Sequence, residues 1–313
     1  MTLFGRILLA AGLAVTCSGA SGVAQETLPT HFRLEPLGSG AFAAIAREGD
    51  RASVGNAGFV VGSEAVLVVD SFATEDAARE LLAAIRRVTS LPVRWVVNTH
   101  YHLDHVGGNA VFRREGAVLV AHENVRRWVR TENLKWRKEI TAQDRAMLDA
   151  LPLPDVTHRD RMTLWLGDRA AEVRFLPGHT GGDSIVRVSE GDIVFAGDLF
   201  WNATVPNMID ADTAAWTATL DALIRDYPSA TFVPGHGEIG HALQVRFFGD
   251  YVGAVRQSAA RGIEAGRTGK ALSAAALEPL RTRYGRWTWF DQFASANLEQ
   301  TEQEIRGIKP KSK

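Results

Sequence analysis

Three of the chain's nine histidines stand within six positions, in His100-Tyr101-His102-Leu103-Asp104-His105, two residues after the β-type run Val93–Val97. In an extended segment residues i and i+2 share a face, so His100 and His102 can approach one ion together. Asp104 and His105 could serve a second ion once the chain turns. A cluster of this kind constrains the whole fold, because the chain must bring partners to it from elsewhere. Three more apolar runs end in the same manner. Phe175-Leu176 runs into Pro177-Gly178-His179-Thr180, Phe195-Ala196 into Gly197-Asp198, and Phe232-Val233 into Pro234-Gly235-His236-Gly237. Each reads as a strand emptying into a glycine-containing loop that ends in a metal-binding side chain type. Loops held at strand ends are where a rigid scaffold converges side chains on one point. Imidazole and carboxylate suit zinc or a similar ion. Two ions about 3.5–4 Å apart need a shared bridging ligand, and Asp198 is the available carboxylate. His31, His122 and His158 lack such a setting and read as structural or surface residues; His241 reads as a helix-start or surface residue.

The elements between these points alternate. Gly58–Val61 and Ala65–Val69 read as strands joined by the turn-like Gly62-Ser63-Glu64. Thr74 caps an acidic first turn, after which Leu81, Leu82, Ile85 and Val88 fall at helical spacing. Further strands are predicted at Ala117–Ala121, Ala171–Leu176, Ser184–Val188, Ile193–Ala196 and Thr231–Val233. A charged helical segment follows over 123–138, then a less regular stretch over 139–162 that reads as a lid or a surface excursion. Asp212 caps a helix with Trp216, Leu220, Leu223 and Ile224 on one face. The tail reads as helical, with a break near 266–270 and an aromatic cluster, RWTWFDQF, at 286–293 that docks the last helix. Strands followed by helix, twice over, predict a single layered α/β domain over 25–313 with a helical C-terminal tail.

Residues 1–24 read separately. A lone Arg6, an apolar run Ile7–Val15 and small residues at Gly22 and Ala24 form a signal-peptide pattern with cleavage after Ala24. The run is too short to span a bilayer permanently. The expectation is a periplasmic or secreted protein with no stable membrane span. Cys17, the single cysteine, lies inside this leader. The mature chain is then without thiols, which excludes disulfides, thiolate ligands and cysteine nucleophiles. It also holds 34 basic and 36 acidic residues, a balance that offers no basic face for nucleic acid and points to a small-molecule substrate.

With these residues in hand, the sequence resembles the metallo-β-lactamase superfamily, whose motifs occur here in family order: THYHLDH, PGHT, GD and PGHG. The resemblance implies an αββα sandwich and a hydrolase with two Zn²⁺ ions per chain. It implies a first ion held by His100, His102 and His179, a second by Asp104, His105 and His236, and Asp198 bridging both. It further implies that a metal-bound hydroxide attacks an ester, thioester, lactone or amide carbonyl, with Asp104 orienting that nucleophile. Two alternatives within the superfamily are a β-lactamase with weak or side activity and a non-hydrolytic mono-iron oxygenase-like protein. β-Lactamases with three histidines at the first site commonly carry cysteine at the position of Asp198 and a lysine at that of Trp201. An indole cannot supply the lysine's charge-assisted hydrogen bond. Phe200 and Trp201, directly after Asp198, are the predicted pocket walls.

Overall fold

In the computed structural model the described residues are 28–310, except 136 and 138, together with 312. The leader and Cys17 lie outside them. Among these residues the first sheet runs in chain order: β1 (Phe32–Gly38), β2 (Ala41–Ala46), β3 (Ala57–Val61), β4 (Val66–Val69), β5 (Val93–Val97), β6 (Val118–His122) and β7 (Val156–His158). Its first four strands are antiparallel neighbours, and β4 to β7 are parallel. The second sheet comprises β8 (Arg161–Trp165), β9 (Ala170–Phe175), β10 (Ser184–Val188), β11 (Ile193–Trp201) and β12 (Thr231–His236). It is antiparallel except for β11 and β12, which pair in parallel across the helix Thr213–Asp226.

The strands read as continuous apolar runs because both of their faces are covered. In β4, Val66 and Val68 pack under helices Glu75–Val88 and Asn109–Arg114, while Leu67 and Val69 enter the layer between the sheets. That inter-sheet layer joins Val60, Val97 and Val120 to Val173, Val186, Phe195 and Val233. The outer face of the second sheet is covered by helices Thr213–Asp226, Ala242–Glu264, Gly269–Tyr284 and Phe290–Ile305 around Trp216, Phe248 and Leu298. The result is the four-layer αββα sandwich. No helix of the described residues is long and apolar enough to cross a membrane.

Helix starts follow their local chemistry. Thr74 accepts from the Ala77 amide and Asp212 from the Ala215 amide, each satisfying a backbone donor that the helix leaves orphaned. Two regions depart from the expectations. The helix after β6 stops at Trp128 instead of continuing to 138. The stretch 139–162 is more regular than expected: it holds a helix, Ala142–Ala150, closed by a Thr141/Asp144 capping box, then β7 at one sheet edge and the start of β8 in the other. β7 was hidden because its three residues, Val-Thr-His, are too few to show a period and two of them are exposed.

Candidate metal centre

β4, β5, β9, β11 and β12 all deliver polar residues to one end of the sandwich, and backbone hydrogen bonds stitch the two sheets together there. The Asn56 amide donates to Gly235 O at 2.7 Å, and the Ser184 amide to Thr99 O at 2.7 Å. Asn56 also donates its side-chain amide to the carbonyls of Pro234 and Gly237, which fixes the loop carrying His236. Backbones approach so closely that a Cβ at Gly235 would collide with Asp198 Oδ1, and one at Gly55 would lie 2.7 Å from His105 Nε2.

The seven residues implied by the resemblance meet at this point, in two groups: His100, His102, His179 and Asp198, and Asp104, His105 and His236. His102 Nδ1 lies 3.1 Å from His100 Nε2 and 3.0 Å from His179 Nε2. One ring nitrogen has either a single proton or a single in-plane lone pair, so it can make only one well-directed hydrogen bond of the two. Asp198 faces both groups. Its Oδ2 is 3.4 Å from His100 Nε2 and 3.1 Å from His179 Nε2, while its Oδ1 is 3.2 Å from His105 Nε2 and 3.5 Å from His236 Nε2. Asp104 Oδ2 closes the second group at 3.5 Å from His105 Nε2 and 3.2 Å from His236 Nε2.

These separations test the fit to a cation. Ligands bound tetrahedrally at about 2.0–2.1 Å are spaced about 3.3 Å apart, which is the spacing seen. Asp198 Oδ1, His105 Nε2 and His236 Nε2 are buried without a hydrogen bond of acceptable geometry, so these atoms face a shared point rather than one another. Buried polar atoms are seldom left so. The electrostatics agree. Burial opposes charge on His105 and His236, yet the surrounding carboxylates, Asp198 foremost, hold His105 well above the ordinary imidazole value and His236 at about 9. Burial alone would raise Asp198 and Asp104, but the neighbouring histidines keep both carboxyls below their usual range. The pocket demands positive charge, and divalent cations bound there would displace protons to supply it.

The family model described as "Metallo-beta-lactamase superfamily" matches residues 50–236, more than half of the chain. The chain belongs to the metallo-beta-lactamase superfamily. Among superfamily relatives, the metallo-beta-lactamase type 2 of Bacteroides fragilis is 27% identical over 168 residues, 49% of this chain and 61% of that protein. A hydroxyacylglutathione hydrolase of Polaromonas sp. is 30% identical over 179 residues, 56% of this chain and 60% of that protein. The chain thus spans about three fifths of the length of these relatives. The solved metallo-beta-lactamase from Pontibacter korlensis superimposes with a TM-score of 0.59 at 24% identity, covering 71% of this chain and 99% of that one. At that identity the likeness speaks for the superfamily fold.

Outside the seven, the structure shows partners that sequence reading missed. His105 Nδ1 lies 2.9 Å from the buried Asp70 Oδ2, and Thr99 Oγ1 donates to the same oxygen at 2.8 Å while contacting His100 Nδ1 at 3.1 Å. Asp70 therefore sets the orientation of one histidine in each group and leaves each Nε2 lone pair turned to the centre. The run Val66–Val69 followed by Asp70 was a partial signal: an apolar strand ending in a carboxylate, without the glycine loop of the other four ends. On the far side of His102, Asp210 Oδ2 is 3.5 Å from Nε2, accepts from Tyr101 Oη at 2.5 Å and pairs with Lys135. Trp201 stacks flat on His236 at 3.9 Å and donates Nε1–H to Asp198 O. Phe200, the other predicted wall, is fully buried against Phe232 and Phe248 and offers no surface to a substrate, because alternate residues of β11 point to opposite faces.

Proposed function

We propose that the protein is an exported, dinuclear zinc-dependent hydrolase that cleaves an ester, thioester, lactone or amide bond. The observation that carries this reading is Asp198, whose two oxygens each face a separate histidine group. His100, His102 and His179 would hold one ion, Asp104, His105 and His236 the other, and Asp198 would bridge them. Bound zinc supplies Lewis acidity, bringing the pKa of coordinated water to about 7 in favourable cases and polarising a carbonyl oxygen.

The chain's own residues supply orientation. Asp104 keeps part of its side chain exposed, unlike buried Asp198, so its carboxylate is placed to accept a hydrogen bond from an attacking water and to orient it. With an ion bound, Asp70 and Thr99 would accept hydrogen bonds from Nδ1–H of His105 and His100, leaving each Nε2 lone pair free to ligate. Such a reaction needs no protein nucleophile. The names of the relatives support hydrolysis without fixing a substrate, and the leader pattern supports export.

Purified mature protein is expected to hold about two zinc ions per chain and to turn over at least one of a panel of chromogenic esters, thioesters and lactones in preference to a cephalosporin. One iron per chain with no turnover would overturn the reading. Asp104→Ala should lower turnover while Asp198 retains metal; unchanged hydrolysis at full metal occupancy would remove Asp104 from the role given to it.

A further inference from the structure

The aromatic cluster at 286–293 divides its labour. Trp287 packs on Tyr251 and Tyr284, and Phe290 is buried, as the docking of a terminal helix requires. Trp289, between them, turns the other way. Its ring lies 5.2 Å from His236, edge to face, and 5.8 Å from Trp201. His236 thus sits in a corner of two indoles, Trp201 flat on its face and Trp289 at its edge. Trp201 is 3% exposed and wholly occupied by packing, whereas Trp289 keeps part of its surface open.

The backbone holds Trp289 there deliberately. It occupies the left-handed region, φ 64° and ψ 14°, where a bulky side chain is an outlier that persists only if its surroundings over-determine it. They do: Thr288 pairs with the strand end after Trp201, accepting from the Val205 amide at 2.9 Å and donating to Ala203 O at 3.1 Å. Helix Phe290–Ile305 starts on Trp289, whose carbonyl accepts from the Gln292 and Phe293 amides. Trp289 also packs beside Phe293, with ring centroids 6.0 Å apart, and against the core through Trp201, while Trp287 and Phe290 cover the remainder of that core. Beside His102, in the other histidine group, Lys135 is paired with Asp210 and Glu132.

We propose that Trp289, carried by the C-terminal helices beyond the residues matched by the family model, is a specificity-determining residue. It gives the His236 side of the centre an apolar wall that selects substrates with an alkyl chain or aromatic ring. This rests on the hydrolase reading above. Large flat aromatic surfaces supply contact area at low conformational cost.

The test compares wild type, Trp289→Ala and Trp289→Phe at matched zinc content and matched melting temperature. Two substrate series are used, p-nitrophenyl acetate against p-nitrophenyl octanoate and methyl acetate against octyl acetate. Wild type should favour the long member of at least one series. Trp289→Ala should lower kcat/KM for that member about tenfold, chiefly through KM, and change the short member less than threefold. Trp289→Phe should restore most of the preference. An equal loss on long and short members, or no change on either, would overturn the proposal. If wild type hydrolyses none of these esters, the thioester and lactone panel decides the hydrolase reading, and calorimetric titration with octanoate and acetate separately decides Trp289. Tighter binding of octanoate that Trp289→Ala abolishes supports the wall, and an unaltered ratio of affinities overturns it.

Discussion

The molecule buries histidine in two places, with opposite results. At the candidate metal centre His105 and His236 are driven towards the charged form, because Asp198, Asp104 and, for His105, Asp70 outweigh the cost of burial. At the C-terminal ends of β6 and β7, on the same edge of the sandwich, His122 and His158 face each other with ring centroids 5.7 Å apart, and burial holds both below the ordinary imidazole value, His158 at about 4. No carboxylate of comparable proximity answers them: His158 has Ser184 Oγ at 3.3 Å from Nε2 and an unpaired Nδ1. Buried imidazole alone makes a neutral packing element. Buried imidazole threaded with carboxylates makes a cavity that wants a cation. His100 shows the balance within the centre itself, for burial outweighs Asp198 there and depresses it.

The sharpest way to break the comparison is to remove the carboxylate shared by both groups. Asp198→Ala should lower zinc affinity at both by more than the roughly 10–100-fold typical of losing an outer partner. Metal analysis after dialysis reads this directly, and a variant that keeps two zinc ions would show that the histidines suffice. Asp70→Asn comes next, with an expected loss of roughly 10–100-fold in affinity, since it orients His105 and, through Thr99, His100. Chelator competition measures it, and an unchanged constant would reduce Asp70 to a packing residue. Asp210→Asn should cost less, at most about tenfold, because its 3.5 Å contact with His102 is long for a hydrogen bond.

A separate effect, on stability and not on metal affinity, belongs to the pair without carboxylates. A histidine whose folded pKa is depressed favours the unfolded state on protonation, so its stability contribution is complete above pH 6.5 and declines as pH falls towards about 4. Discounted for residual solvent, that is about 1–2 kcal/mol. His158→Gln should flatten this part of the acid limb, seen as a smaller shift in urea midpoint between pH 7.5 and 4.5 than in wild type. Equal shifts would mean that His158 is solvated in the folded protein.

What could be read from the sequence follows from the same contrast. The seven candidate ligands stood out because histidine and aspartate after an apolar run, most of them near glycine, conflict with a packing role. Asp70 met only half of that description, since it follows an apolar run without a neighbouring glycine, and an aspartate after a strand also ends strands for ordinary reasons. Asp210 and Lys135 carry no local signal, because their meeting depends on a loop and a turn 75 residues apart. Trp289 was hidden by its neighbours: in a cluster with Trp287 and Phe290, composition cannot tell which indole turns away. β11 was recognised only to Ala196 because the glycine and aspartate that give it chemistry also mask its continuation to Trp201.

The origin of the ligands has a consequence for the lifetime of the protein. His100, His102, Asp104 and His105 hang from one sheet, and His179, Asp198 and His236 from the other. A cation seated among them is a rivet through two plates that otherwise adhere by oil and a few amide stitches. Since whatever binds only the folded form stabilises it, the same ions that would do chemistry would also slow the plates from parting, and starving the compartment of metal would expose the chain to proteolysis as well as silence it.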